Sequence, residues 1–344
     1  MPLSGRLFIV FVVLLLTACA RPVMLPSSWQ DQALNAVWPA VPQPPRIRLL
    51  RVEGSGPPAQ KSGGRQFFDW LLGENRNELP VVSPYGITAD GRGRVWLADP
   101  GSSAVHLFDL ASGERKYIIR AGEVSLVSPV GVVYNTASDQ LYIADSVLNR
   151  VFLLTADGRL IGERFVPGGF GRPAGLALDQ DGRLYVADVT AGLIHVFAAD
   201  GLFLRSIGSP DNQDGRFRLP ISVAVDATGL IYVNDSMNFR IVVLSPTGEL
   251  KSILGEIGTG IGTFARPRGV AVDSHGHVYV ADAAFDNVQI FDMAGQLLLF
   301  FGQPGKGAGE FCMPSGVYVD TADRIYLAES CNQRFQVFQY LDSR

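Results

Sequence analysis

The chain has 344 residues, 47% of them hydrophobic and 18% charged, and its 29 Lys and Arg against 33 Asp and Glu leave a net charge of −4. So much apolar material with so little charge excludes a disordered or collagenous chain, and the acidic balance argues against a protein that neutralises a phosphate backbone, so no nucleic-acid partner is expected. Glycine, at 38 residues, is about 11% of the chain against a usual 7% or so, which implies many turns with positive φ.

Residues 7–16 form ten consecutive apolar residues behind Arg6. The run falls short of the roughly 18 needed to span a bilayer and suits a signal-peptide h-region. It leads into Leu16-Thr17-Ala18-Cys19, which resembles the bacterial lipobox, where cleavage leaves a diacylated Cys as the new N-terminus. The resemblance implies a signal peptide over 1–18, lipid attachment at Cys19 and tethering to a membrane surface, since each buried CH₂ adds about 0.8 kcal/mol and two chains suffice for stable anchoring. The alternative is an ordinary secretory signal with an incidental Cys. Ala20 stands where, in the enteric-type rule, Asp would favour the inner membrane. The implied address is therefore the cell envelope, at the outer membrane, facing the periplasm or the outer surface. Residues 19–45 carry Pro22, Pro26, Pro39, Pro42, Pro44 and Pro45, a density that favours extended geometry and predicts a stand-off tether.

Residues 46–54, RIRLLRVEG, read as a strand without a local partner. An insertion at 55–83 follows; its centre, RQFFDWLLGE at 65–74, predicts a short helix burying Phe67, Phe68, Trp70 and Leu71. The helix would pack against the rim of the fold or form a lid.

From Pro84 the chain repeats itself. PYGITAD, PVGVVYN, PAGLALD, PISVAVD, PRGVAVD and PSGVYVD begin at Pro84, Pro129, Pro173, Pro220, Pro267 and Pro314, spaced by 45, 44, 47, 47 and 47 residues. Each is followed by a second run (VWLAD, LYIAD, LYVAD, IYVND, VYVAD, IYLAE), a third (VHLFD, VFLLT, IHVFA, IVVLS, VQIFD, FQVFQ) and, in all but the last, a fourth. Short β-branched and aromatic runs separated by Gly, Asp, Asn and Pro turns are strands, and four per repeat make an antiparallel blade. One blade cannot bury both faces, so six must stack around an axis. The predicted fold is all-β, a six-bladed β-propeller occupying 46–344. The last repeat lacks its outer strand, and residues 46–54 resemble the outer strands elsewhere, so they are expected to complete that blade in a three-plus-one closure.

The pattern P-x-G-V-A-V-D, then Y-V-A-D, then N-x-R-V-x-V-F resembles the NHL repeat over residues 84–340. The Gly-His and Trp-Asp marks of WD40 and the paired Gly of kelch are missing. The resemblance implies a recognition platform. Some members are lyases with a channel Zn held by several His, for which this chain lacks matching positions; some bind RNA, which the export signal and acidic balance disfavour here. A ubiquitin-ligase module, joined to the repeat in some animal members, would need a Cys/His zinc framework that this sequence does not contain.

In a propeller the loops before each inner strand and after each second strand share one face. The residue after each repeat Pro should therefore ring the channel mouth: Tyr85, Val130, Ala174, Ile221, Arg268 and Ser315. That set is no metal cage; His106 and His195 fall in third strands and His275 and His277 in an opposite-face hairpin, so no metal and no cofactor is expected. The acids closing the second strands (Asp99, Asp145, Asp188, Asp235, Asp282, Glu329) read as acceptors for turn N–H groups, and Arg150, Arg240 and Arg334, five residues later, as structural partners. Arg172, Arg218, Arg266 and Arg268 share the loop face of three successive blades and, with Tyr85, form a candidate anion-binding surface, with Met237, Phe239 and Phe285 in neighbouring loops. The alternative is solvated arginines paired with Asp211, Asp214 or Glu310. Cys312 and Cys331 flank strands expected to pair antiparallel, close enough for a disulfide; the alternative is two buried thiols. The function these readings favour is a membrane-tethered, non-catalytic binding or scaffolding disc for a protein or an anionic envelope polymer. A channel-centred lyase or lactonase-like hydrolase is the alternative.

Overall fold

The computed structural model describes residues 34–40, 42–54, 79–208 and 217–342. The expected signal peptide, Cys19, most of the tether, the helix at 65–74 and Asp211 and Asp214 lie outside the described residues. The strands group into six blades. From the axis outward, blade 1 is Ile87–Ala89, Arg94–Asp99, Ala104–Asp109 and Arg115–Ile118, and blade 2 is Pro129–Asn135, Gln140–Asp145, Arg150–Thr155 and Leu160–Arg164. Blades 3, 4 and 5 open on Pro173–Leu178, Pro220–Val225 and Pro267–Val272, each continuing through three more antiparallel strands. Blade 6 consists of Pro314–Val319, Arg324–Glu329 and Arg334–Tyr340 and is completed by Ile47–Gly54, which pairs with Arg334–Tyr340 from Ile47 opposite Tyr340 to Gly54 opposite Arg334. The closure is the one expected, because that N-terminal run alone supplies the missing outer strand.

Two features depart from the sequence reading. Val37–Trp38 forms a fifth strand on blade 6, pairing with Arg48 and Ile47, and Leu34, Ala36 and Trp38 pack against the core between blades 5 and 6. The last part of the expected tether is thus docked on the disc: Trp38 meets Phe301 and Phe338 at 5.9 and 5.8 Å, and burying so large a ring outweighs the extended preference of the prolines around it. A small ribbon, Arg120–Ala121 with Val124–Ser125, also links blades 1 and 2.

The cores lie between blades rather than within them. One cluster joins Trp96 and Val105 of blade 1 to Leu141 and Phe152 of blade 2; another joins Tyr279 and Phe301 of blade 5 to Leu327 and Phe338 of blade 6. Each second strand contributes one large buried aromatic: Trp96, Tyr142, Tyr185, Tyr232, Tyr279 or Tyr326. Burial of such a side chain contributes about 1.5–3 kcal/mol. The tyrosines keep their hydroxyls satisfied: Tyr185, Tyr232, Tyr279 and Tyr326 donate to Asp179, Asp226, Asp273 and Asp320 at the turn of the first hairpin.

The glycine of P-x-G has a steric origin. A Cβ on Gly131 would lie 1.9 Å from the Ala174 carbonyl oxygen of the next blade, and one on Gly316 would lie 2.3 Å from the Tyr85 oxygen, across the seam where the ring closes. Only a bare Cα lets neighbouring inner strands converge so closely. Blade 4 has Ser222 instead, and its Oγ accepts a hydrogen bond from Val270 N–H of blade 5 at 3.2 Å. Cys312 and Cys331 form a disulfide with Cα atoms 5.3 Å apart, joining the loop before the inner strand of blade 6 to the turn after its second strand.

Candidate functional site

The six inner strands enclose an axial cavity of about 630 Å³. Its waist is aliphatic, lined by Ile87, Val132, Leu176, Val223, Val270 and Val317, one from each blade. One mouth carries Tyr85, Val130, Ile221, Arg268 and Ser315; the other carries Asn135, Ser138, Asp179, Asp181 and Asp226. Of the six residues read as ringing the first mouth, Ala174 and Ser315 are buried: the Ala174 carbonyl turns toward Gly131 of the preceding blade, and Ser315 Oγ donates to the Pro84 and Ala328 carbonyls.

The loops bearing the arginines are held by the acids that close the second strands, each with 0% exposure. Asp188 accepts from Gly171 and Arg172 N–H at 2.7 and 2.9 Å, Asp235 from Arg218 N–H at 2.7 Å, and Asp282 from Ala265 and Arg266 N–H at 2.9 and 3.0 Å. The same carboxylates accept from the turn that follows, as Asp188 does from Ala191 and Asp282 from Ala284. A short acid with several oxygen lone pairs thus ties two loops of one face together, an arrangement that backbone pairing alone does not provide.

Charge compensation for these acids comes from different residues around the ring. Arg240 meets Asp235 at 3.1 Å and Arg334 meets Glu329 at 2.7 Å, whereas Arg150 reaches Glu163 at 3.4 Å instead of its own blade's Asp145. In blades 1 and 3, which have no such Arg, His106 and His195 lie 3.4 Å from Asp99 and Asp188. Sequence reasoning missed this substitution, although its signal is present: both His stand seven residues after the acid. Burial acts to raise the Asp99 carboxyl, but the His106 bond and the N–H groups of Val82 and Ser83 outweigh it and hold it at about 2. Asp188 is likewise held at about 2, against burial, by His195 and the Ala191, Gly171 and Arg172 N–H groups.

At the mouth, the Arg268 guanidinium lies over the Tyr85 ring, 5.4 Å from its centre, so that blade 5 reaches across blade 6 to blade 1. Burial raises the Tyr85 hydroxyl above its usual range, while Arg268, then Arg172 and Arg266, pull it down by their charges. The structure therefore brings four of the five candidate residues into one electrostatic neighbourhood. Arg218 is exposed, and its charge is not one of the main ones acting on Tyr85. Among the described residues, Arg172, Arg218, Arg266 and Arg268 have no carboxylate partner; Glu310 accepts from Gly307 N–H and Gln303 instead. Met237 is exposed and Phe285 half-buried, while Phe239 packs into the core between blades 4 and 5. The mouth presents the Arg268 guanidinium on the Tyr85 ring, with Arg172 and Arg266 exposed on the same face, above an apolar shaft. The acids at the other mouth are occupied: Asp179 by Arg183 and Tyr185, Asp181 by Arg183, and Asp226 by Tyr232 and Thr228.

The NHL repeat family matches residues 170–197, 264–291 and 311–338, in the third, fifth and sixth blades. No curated protein matches the chain in sequence. Among solved structures, a streptogramin B lyase aligns over 77% of this chain and 95% of its own with a TM-score of 0.58 at 15% identity. A catalytically inactive virginiamycin B lyase from Staphylococcus aureus with quinupristin aligns over 78% and 98% with a TM-score of 0.56 at 13% identity. A nidogen/laminin complex aligns over 70% and 85% with a TM-score of 0.56 at 22% identity. At these identities the likeness is one of fold. Taken with the closed ring, it shows a six-bladed β-propeller whose third, fifth and sixth blades carry NHL repeats.

Proposed function

We propose that this protein is a non-catalytic binding module, lipid-anchored in the cell envelope, whose arginine-bearing channel mouth holds an acidic segment of a partner protein. The observation that carries the reading is the Arg268 guanidinium lying over the Tyr85 ring at the mouth, with Arg172 and Arg266 on the same loop face near enough for their charges to act on Tyr85 and none of the three paired with a carboxylate among the described residues. Guanidinium groups left without acids on a rigid mouth favour a carboxylate or phosphate brought by a ligand. The nidogen/laminin structure is an example of a related propeller fold in a complex between proteins. An envelope address is supported by the apolar run at 7–16 leading to Cys19 and by the Cys312–Cys331 disulfide, which persists in oxidising compartments. No described helix is long and apolar enough to cross a membrane.

A labelled hexaglutamate peptide titrated into the purified protein tests the site. Binding should weaken as salt rises and fall about tenfold or more when Arg172, Arg266 and Arg268 are all changed to Gln, a loss of about 1.4 kcal/mol. Equal binding by wild type and the triple variant would remove the reading. Retention on purified lipopolysaccharide, lost in the same variant while the peptide fails to bind, would assign the mouth to an envelope polymer instead. Intact mass of the mature protein from membranes tests the acyl anchor at Cys19.

A further inference from the structure

On the face opposite the arginines, the first hairpin of blade 5 reads Asp273-Ser274-His275-Gly276-His277. In five blades this hairpin is pinned by an Asp accepting from its own turn, and in blade 2 by Asn135. In blades 1, 3 and 6 the residue four places on is an Arg that pairs with it: Arg94 with Asp90, Arg183 with Asp179, Arg324 with Asp320. In blade 5 that place is held by His277, whose Nδ1 lies 2.7 Å from Asp273 Oδ2. The neighbouring His275 stacks on it with ring centroids 5.7 Å apart and planes 14° apart. One ligating atom each from Asp273, His275 and His277 can be chosen so that all lie within 4.8 Å of one another.

A fourth donor comes from blade 6. In blades 3, 4 and 5 the hairpin's left-handed position is glycine, at Gly182, Gly229 and Gly276, but in blade 6 it is Asp323 with φ 56°. A residue with a side chain is disfavoured in that conformation, least when it is Asp or Asn. The result is a carboxylate facing blade 5: Asp323 Oδ2 is 3.6 Å from His275 Nδ1 and accepts from Ser274 Oγ at 2.8 Å. Tyr340, where the last strand begins its pairing with Ile47, covers both imidazoles at 5.4 and 5.1 Å. Tyr279 donates to Asp273 Oδ2 at 2.9 Å, the outer-shell contact that orients a ligating carboxylate.

We propose that Asp273, His275, His277 and Asp323 form a site for a divalent transition metal of the zinc type, which staples blade 5 to the closing blade. Two imidazoles and two carboxylates from two blades match the nitrogen and oxygen preference and the four-coordination of Zn²⁺; Asp273, His275 and His277 are already grouped, whereas Asp323 touches that group through His275 and would turn inward as the metal binds and the His277–Asp273 contact opens. The staple lies on the face opposite the disulfide, so the closing blade is secured on both sides. It does not depend on the arginine mouth.

The test is Zn²⁺ titration of the EDTA-treated full chain by calorimetry, with Co²⁺ absorption reporting coordination geometry. Wild type should take up one equivalent of Zn²⁺, give the visible bands of tetrahedral Co²⁺ and melt at a higher temperature with Zn²⁺ but not with Ca²⁺. His275→Ala removes an exposed side chain, and Asp323→Asn keeps a residue that tolerates the left-handed turn, so both should melt like wild type without metal. Both should bind Zn²⁺ more than about tenfold more weakly. No stoichiometric uptake, or uptake unchanged in both variants, would overturn the proposal.

Discussion

Replacing Gly131 by Ala tests the steric account of the ring. The new Cβ would sit 1.9 Å from the Ala174 oxygen, 3.0 Å from its carbonyl carbon and 3.1 Å from Ala144 Cβ. Ordinary carbon–oxygen contact is above 3 Å, so the inner strands of blades 2 and 3 must part by about an ångström. Overpacking of this kind costs about 1–3 kcal/mol, against a gain of about 0.4–1 kcal/mol from the stiffer unfolded chain. Gly162, in the outer strand of the same blade, is the control, because nothing lies within 4 Å of a Cβ there and its φ is not left-handed. Urea unfolding followed by circular dichroism should show a lower midpoint for Gly131→Ala and an unchanged or slightly higher one for Gly162→Ala. Equal midpoints for the two variants would refute the idea that the P-x-G glycine exists for the approach between blades.

Two further outcomes concern the acids and the closing blade. Asp99 and Asp188 have folded pKa values depressed to about 2, so the stability they contribute is present above the usual carboxylate range near pH 4 and is lost as pH falls through about 2. At about 1.4 kcal/mol per unit the loss is roughly 2 kcal/mol for each. Changing His106 and His195 to Gln should move the acid-unfolding midpoint to higher pH, and an unmoved midpoint would show that the backbone N–H groups alone hold the carboxylates. The disulfide closes a loop with a sequence separation of 19, worth about 3 kcal/mol by loop-closure entropy. Changing Cys312 and Cys331 together to Ser should lower the urea midpoint accordingly, and no shift would mean that Ile47–Gly54 latches the ring without it.

The architecture was legible because it is local and repeated. Each blade writes the same alternation of short apolar runs and turns, and a missing outer strand in the last repeat points to the unpaired run at 46–54. The roles of the second-strand acids were also legible, since an Asp at a strand end has few other uses. What the tertiary structure decided are the contacts between blades, which no local pattern encodes. Tyr85 and Arg268 meet only because the ring closes at an angle that carries blade 5 across blade 6. His106 and His195 take the place of the Arg because the third strand's side chain at that register points at the acid. Trp38 docks because the seam between blades 5 and 6 leaves a place for its ring beside Phe301 and Phe338. His275 and Asp323 share a site because two hairpins of adjacent blades emerge side by side on one face. Strand formation is governed by alternation within a few residues; these juxtapositions depend on the twist and closure of the whole ring, which exist only once every blade is packed.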